Sequence, residues 1–405
     1  MRTLVAARRS RTLLLLRYIL GETGEDVPTR RAFDLLAEVR RTAPSAVEAT
    51  LDHPLVSAWA TRTATSIREG RPGGTAWLGR VALAAAIRGR VDADLSVPGD
   101  PAGFHLPSLG MVTYQFGAAV TVRCGDNSTS ISDLVRVPLN WRQPAPGWCP
   151  TPAVEVRGSG LRTTFLLEHW PREYLPVGLH AADQIDESQW RTLVSSSWDL
   201  LTRWHRESAE ELGAAISVLA PLRTVSGGTT SATLDDAFGA VFLSPAPTIP
   251  ATAVTLVHEL QHAKLTALMD MFTLVRPVAG EVFYAPWRDD PRPLAGLLHG
   301  TYAFSGVAAF WRRQRLVPAS MADVEHAAVE FARWRTAATT AADTIFSSNR
   351  LTPLGETFMT TLATTLDSWH DERVPKAAQR QADRLLTEHR AKWQTANISR
   401  GISGG

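Results

Sequence analysis

The spacing of apolar residues divides the chain into three regions. In residues 1–90, apolar positions recur every three or four residues, which is the period of an amphipathic helix. The period is clearest from Thr29 to Arg41, where one side of the predicted helix carries Phe33, Leu35, Leu36 and Val39. This pattern predicts a helical N-terminal region over residues 1–90.

Residues 91–181 lack that period and contain short runs rich in β-branched residues, separated by Gly, Pro, Asn and Asp. Such runs between turn-forming residues are typical of β-strands. We therefore predict a β-rich section with antiparallel strands. The candidate strands are Met111–Phe116, Ala119–Cys124, Leu134–Leu139, Ala153–Arg157 and Thr163–Glu168.

The helical period returns at residue 182 and predicts a mainly helical region that continues to residue 398. Two short strands are expected within this region, at Ile216–Val225 and Gly239–Ser244. Thr248 and Pro250 are residue types favoured at the N-cap and in the first turn of a helix, so a helix should begin there. Residues 399–405 are predicted to be a disordered tail. Together these regions predict an α+β fold that is predominantly helical, with a motif-bearing helix beside a short strand.

Composition and charge exclude several classes of protein. A chain of 405 residues with 44% hydrophobic and 20% charged residues suits a globular protein of two or three domains. The formal net charge of +2 gives no reason to expect nucleic acid or a membrane as a partner. Arg17 interrupts the N-terminal leucine run, and no segment approaches the roughly 20 apolar residues of a membrane span, which favours a cytoplasmic protein. Cys124 and Cys149 form no C-x-x-C pair, so no thiolate metal site is expected.

The segment Val254–Leu265 carries the pattern H-E-x-x-H in a stretch predicted to be helical. His258 and His262 are one helical turn apart and project from the same face, so both imidazoles could bind one metal ion. Glu259 stands beside them, where it could bind a water molecule. A pair of hydrogen-bonded core histidines is the alternative, but the strongly helical context favours a metal site.

Two protein ligands rarely suffice, and Glu281 and His299 are the candidates for the third. Glu281 follows the motif helix at about the separation found in the gluzincin class of zinc peptidases, in which Glu259 would be the general base. His299 lies in an apolar stretch of a helix predicted from Leu294 to Arg315. Both candidates stay open on the residues alone.

The segment Gly280–Pro293 is rich in proline and charge, which predicts a long loop, and long loops inside compact domains are usually functional. It carries Arg288 and Arg292. Two guanidinium groups near a divalent metal would favour an anionic co-ligand. Pairing with Asp289 and Asp290 is an equally simple explanation of both arginines.

These segments resemble the HExxH-motif peptide-modification proteins encoded in actinobacterial clusters for ribosomally made peptide natural products. Three blocks carry the resemblance, namely His258–His262, Phe283–Leu294 and Leu298–Phe304. Members of that group are understood as 2-oxoglutarate-dependent peptide β-hydroxylases. The β-rich section contributes no motif to the resemblance.

The resemblance implies an iron(II) site of three histidines, which would be His258, His262 and His299. It also implies 2-oxoglutarate as a chelating cofactor whose distal carboxylate is held by Arg288 or Arg292, with O2 as co-substrate. The expected partner is a precursor peptide, which would be hydroxylated at a side-chain β-carbon.

The remaining residues of the motif region have two interpretations each. In a hydroxylase, Glu259 would position water, a ligand or the substrate, because hydrogen abstraction needs no base. Tyr284 and Trp287 could line the pocket or could pack within their own loop.

Two other functions are compatible with the same residues. One is a zinc metallopeptidase with Glu259 as base and Glu281 or His299 as third ligand. The other is a non-enzymatic scaffold that binds a peptide or a partner protein and uses its metal for structure. The resemblance makes the hydroxylase the leading hypothesis.

Overall fold

The computed structural model describes residues 1–23, 25–71, 73–99, 103–116, 119–125, 128–224, 228–276 and 278–397. The described chain has an α+β fold in which helix predominates, as predicted. The predicted tail at 399–405 and the end of the predicted strand Ile216–Val225 lie outside the described residues.

The N-terminal region is helical, as its period predicts. Its helices are α1 (Arg2–Thr23), α2 (Val27–Thr42), α3 (Pro44–Leu51), α4 (Pro54–Arg68) and α5 (Leu78–Gly89). The strands that follow are β1 (Ala93–Pro98), β2 (Phe104–Leu106), β3 (Gly110–Val112), β4 (Ala119–Gly125), β5 (Ser128–Ile131), β6 (Val135–Val137), β7 (Trp148–Pro150), β8 (Ala153–Gly158) and β9 (Leu161–Leu167).

Helix returns after the strands. The next elements are α6 (Glu187–Trp204), α7 (Arg206–Ala215), β10 (Val218–Pro221), β11 (Ser231–Ala232) and β12 (Ala240–Leu243). The chain then continues as α8 (Ile249–Met269), α9 (Leu294–Gln314), α10 (Met321–Ser347), α11 (Pro353–Asp367) and α12 (Lys376–Asn397). The predicted order of strand, loop and motif helix is present, with β12 preceding α8.

The strands form three sheets. One antiparallel sheet has the order β1-β4-β5-β6, and another has the order β2-β3-β7. The third has the order β11-β12-β10-β9-β8, in which β10 runs parallel to both β9 and β12. Every residue of β10 and β12 is buried, as is usual for parallel strands covered on both faces.

Several strand boundaries differ from the predicted ones. The candidate strand Leu134–Leu139 is reduced to β6, because Pro138 follows it and has no N–H to donate to a neighbouring strand. The candidate Met111–Phe116 corresponds to β3, which ends at Val112. Strands β1, β2, β5 and β7 were not among the candidates.

The chain divides into two compact units. The first contains Met1–Val156, Arg162–Ser195 and Ala215–Pro245, and the second contains Arg157–Leu161, Ser196–Ala214 and Ala246–Gly405. In the first unit one core cluster contains buried residues from Leu16 in α1 to Trp148 in β7. The N-terminal helices and the antiparallel strands therefore share a core.

The second unit is mainly helical. Helix α9 packs against α8 and α10, and α10 packs in turn against α11 and α12. No helix in the described ranges combines the length and apolar character needed to cross a membrane. Cys124 and Cys149 are free thiols.

Candidate metal centre

Helix α8 places the two motif histidines side by side. The Thr248 side chain caps the helix by accepting a hydrogen bond from the Ala251 amide (3.2 Å), and Pro250 occupies the first turn, as predicted. Buried apolar residues, among them Leu256, Val257 and Leu260, fix the helix in the core. His258 and His262 consequently lie with their Nε2 atoms 3.2 Å apart.

His299 approaches this pair from α9. Its ring is nearly parallel to that of His262, with an interplanar angle of 22° and 6.0 Å between the ring centroids. The His258 ring is closer to His262, with 4.6 Å between centroids. The structure therefore places His258 and His262 together, and His299 lies on the adjoining helix, farther from His262 than His258 is.

Burial keeps the two motif histidines neutral. It lowers the pKa of His258 to about 4. It also lowers the pKa of His262 to about 2, with further contributions from the positive charges that His258, His299 and Arg292 would carry. A neutral imidazole has a free lone pair for a metal ion, so both side chains are ready to act as ligands at neutral pH.

The two loop arginines share one carboxylate but differ in their other contacts. Arg288 Nε lies 2.7 Å from Asp290 Oδ1, and Arg292 Nη1 lies 3.5 Å from Asp290 Oδ2. The Arg292 side chain also lies against Gly296 in the first turn of α9, where an added Cβ would be 3.1 Å from its Nε. Arg292, but not Arg288, contributes to the lowered pKa of His262, so Arg292 is the arginine more closely coupled to that histidine.

Trp287 packs against α9 beside His299. Its indole ring covers Gly300, where an added Cβ would be 2.3 Å from a ring carbon. The same ring stacks on Phe304, with centroids 4.7 Å apart, and Phe304 in turn contacts the His258 ring at 4.8 Å. Trp287 and Phe304 thus form an aromatic wall that continues from the histidines.

Tyr284 is directed toward the last helix. Its hydroxyl lies 2.9 Å from His389 Nδ1, and its ring packs on Trp393 with 5.2 Å between centroids. The neighbouring Asp289 accepts a hydrogen bond from Lys392 Nζ at 2.8 Å. Tyr284 and Asp289 therefore anchor the arginine loop to α12. The contact to the His258 ring comes from Phe304, which packs on Trp287.

The two acidic candidates have different surroundings. Glu259 is 2% exposed and belongs to the buried face of α8. Glu281 is paired with Arg350, with 3.7 Å between Oε2 and Nε. This ion pair gives the Glu281 carboxylate a structural partner outside the histidine group.

The donor set fits a metal ion that accepts imidazole ligands, such as iron or zinc. Two nitrogen ligands bound at about 2.1 Å to one ion stand roughly 3 Å apart, which agrees with the 3.2 Å between His258 and His262. Among the residues that the structure describes, no three His, Cys, Asp or Glu side chains are grouped so as to hold a metal ion. Two of the three candidate ligands are thus adjacent, and the third, His299, lies on the adjoining helix.

Sequence reasoning did not single out three residues that shape this site. Phe304 belongs to the aromatic wall, and Gly296 and Gly300 admit the side chains of Arg292 and Trp287. Gly296 precedes His299 by three residues, and Gly300 is four residues from both Gly296 and Phe304. This spacing was a usable signal, because residues three or four apart share one helix face. Trp334, which packs on Phe304 with 4.4 Å between centroids, had no such signal.

The chain matches no protein-family model, and no curated protein matches it. The resemblance to the HExxH-motif peptide-modification proteins therefore stays a prediction, carried by the residues themselves.

Proposed function

We propose that this protein is an iron(II)- and 2-oxoglutarate-dependent hydroxylase of the HExxH-motif group that acts on a side chain of a ribosomally made precursor peptide. The observation that carries the proposal is a pair of buried histidines with Nε2 atoms 3.2 Å apart, beside a loop from which Arg292 contributes to the lowered pKa of one of them, His262. A hydroxylase uses both features, whereas hydrolysis by a zinc ion has no evident need of the arginine.

His258, His262 and His299 would hold the metal as neutral ligands. When bound, iron together with 2-oxoglutarate and O2 supplies the oxidising chemistry that places one oxygen atom in a peptide C–H bond, with succinate and CO2 as the other products. The contribution of the chain is to hold the donors and to orient the cofactor and the peptide around them.

Arg292 would bind the distal carboxylate of 2-oxoglutarate. A guanidinium group offers two parallel N–H donors to a carboxylate, which fixes both the position and the orientation of the dicarboxylate. Asp290 Oδ2 lies 3.5 Å from Arg292 Nη1, which is long for a charge-assisted hydrogen bond, so this pairing leaves the guanidinium able to donate to a second carboxylate.

The aromatic wall and Glu259 have supporting roles. Phe304 and Trp287 present apolar surface beside His258, which would exclude water and receive an apolar part of the peptide. Glu259 is buried and acts as a positioning residue, since hydrogen abstraction from carbon requires no general base.

The test is reconstitution of the purified chain without oxygen, using iron(II), followed by 2-oxoglutarate, O2 and the candidate precursor peptide. We expect succinate and a peptide that is heavier by one oxygen atom. The matched control omits 2-oxoglutarate and should yield neither product. A second control replaces iron(II) by zinc and also omits 2-oxoglutarate, and cleavage of the peptide there would overturn the proposal in favour of a metallopeptidase.

A further inference from the structure

A cavity of about 280 Å³ in the first unit is lined by three arginines. Arg88 lies in the last turn of α5, Arg90 is the residue that follows this helix, and Arg142 comes from the segment after β6. The side chains of Trp141 and Asn140 also line the cavity. The residues of this cavity belong to the first unit, whereas the histidines of α8 and α9 belong to the second.

Trp141 organises the cationic groups. The Arg142 guanidinium carbon lies 4.2 Å from the Trp141 ring centroid, and that of Arg88 lies 5.0 Å from it. Trp141 is buried, and its carbonyl accepts a hydrogen bond from the indole nitrogen of Trp148 at 2.8 Å. Arg88 is fixed further by donating from Nη2 to Ser108 Oγ at 2.7 Å. The guanidinium groups of Arg88 and Arg142 thus both lie beside the Trp141 ring, and Arg88 has a second anchor in Ser108.

The positive charges in this cavity lie close to one another. Within the described ranges, Arg88, Arg90 and Arg142 form no ion pair with a carboxylate. The buried Arg88 Nε likewise has no hydrogen-bond partner in the described part of the chain. Burial and the nearby charge of Arg142 lower the pKa of Arg88 to about 10. Like charges held together in this way cost free energy, which a bound anion would offset.

Helix α5 by itself explains only part of the cluster. Basic residues at a helix C-terminus interact favourably with the helix dipole, which suffices for Arg88 and Arg90. Arg142 belongs to a different segment and adds repulsion toward Arg88, which the dipole does not explain. A ligand that contacts guanidinium groups from both segments accounts for all three.

We propose that this cavity binds an oxyanion, either the carboxylate of an acidic residue in a peptide or a free phosphate. Guanidinium groups bind both anions through paired N–H donors, and the Trp141 ring offers a flat surface beside them. At about 280 Å³ the cavity has room for one anionic group together with part of the molecule that carries it.

The experiment measures binding by titration calorimetry to the full-length protein without added metal or 2-oxoglutarate. The probes are inorganic phosphate, a short peptide with one central glutamate, and the same peptide with glutamine in its place. Arg142→Gln is the principal variant because this side chain is exposed, and Arg90→Gln is the second. Arg136→Gln, an exposed arginine in β6 outside the cavity, is the matched control.

We expect the wild type to bind phosphate or the glutamate peptide, and Arg136→Gln to bind it with the same affinity as the wild type. Both cavity variants should bind about tenfold more weakly. Preference for the glutamate peptide over phosphate would identify a peptide as the source of the anion, and the reverse would identify the free ion. Absence of binding to both anionic probes, or equal weakening by Arg136→Gln, would overturn the proposal. Because the assay contains neither metal nor 2-oxoglutarate and requires no turnover, its result is separate from the fate of the proposed hydroxylase.

Discussion

At the scale of single residues, Arg292 and Arg288 provide a matched pair. Both contact Asp290, but only Arg292 also lies against α9 and influences His262. We expect Arg292→Gln to raise the KM for 2-oxoglutarate by about tenfold or more, because hydrogen bonds to charged groups contribute about 1.5–3 kcal/mol. Arg288→Gln should change this KM by less than about threefold, since it removes only a surface ion pair.

The measurement is succinate formation at varied 2-oxoglutarate concentration, with peptide and iron(II) held in excess. Equal increases in KM for both variants would contradict the assignment of Arg292 as the cofactor-binding arginine. Succinate formation by Arg292→Gln with a KM like that of the wild type would also contradict it.

Gly300 illustrates how one missing side chain shapes the site. Replacing a helical glycine by alanine normally stabilises a helix by up to about 1 kcal/mol. At Gly300, however, an added Cβ would be 2.3 Å from the Trp287 ring, so we expect Gly300→Ala to destabilise the protein by about 1–3 kcal/mol.

Gly21 in α1 is the control for this substitution, because an added Cβ there meets no atom within 4 Å. Urea unfolding should show that Gly21→Ala is neutral or slightly stabilising. A neutral or stabilising effect of Gly300→Ala would mean that Trp287 moves aside at little cost, and that it is not a fixed wall of the site.

At the scale of elements, α8 shows what local sequence can predict. Its start was predictable because Thr248 and Pro250 have distinct chemical roles at a helix N-terminus. We expect Thr248→Ala to cost about 1 kcal/mol in the free energy of unfolding, because the Ala251 amide loses its partner, whereas Thr248→Ser keeps the hydroxyl and should cost less than half as much. Denaturant unfolding of the three proteins measures this, and equal losses would rule out a role for the cap.

The short strands show where local sequence falls short. β2 and β7 are three residues long, and β7 pairs with β3 across more than thirty residues of intervening chain. A run of three residues cannot display the alternation that marks a strand, and its partner is set by tertiary packing. The same limit applies to the candidate site. The spacing of His258 and His262 is local and was predictable, whereas the choice between Arg288 and Arg292 depends on contacts with a different helix.

At the scale of the whole molecule, the change of hydrophobic period near residue 91 marks a change of secondary structure within one unit. Buried residues on both sides of it, such as Leu83 in α5 and Val122 in β4, belong to the same core cluster. A sequence pattern reports how a segment is folded, but the partners against which it is buried are fixed by the fold as a whole.

The first unit also contains a buried carboxylate that joins three of its elements. Glu168, just after β9, is 2% exposed, and its two oxygens lie 2.7 Å from His53 Nε2 and 2.9 Å from His105 Nε2. Burial alone would raise the pKa of this carboxyl, but the two histidines outweigh that effect and hold the pKa well below its ordinary value of 4.5. The residue before α4 and strand β2 are thereby tied to the end of β9.

Because the folded state lowers this pKa, ionised Glu168 stabilises the first unit fully above pH 4.5, and that contribution is lost as the pH falls toward the pKa of the folded state. We expect Glu168→Gln to cost about 1–3 kcal/mol at pH 7, because the amide replaces only one of the two carboxylate oxygens that the buried His53 and His105 side chains contact. The difference from wild type should shrink progressively below pH 4.5.

Hydrogen exchange of the amides of α4 and β9 measures the stability locally. The control is Glu155→Gln, at an exposed position of β8, which should change this stability by less than about 0.5 kcal/mol. A difference that is the same at pH 7 and pH 3.5 would show that the Glu168 side chain stabilises the unit by packing and that its charge has no part in it.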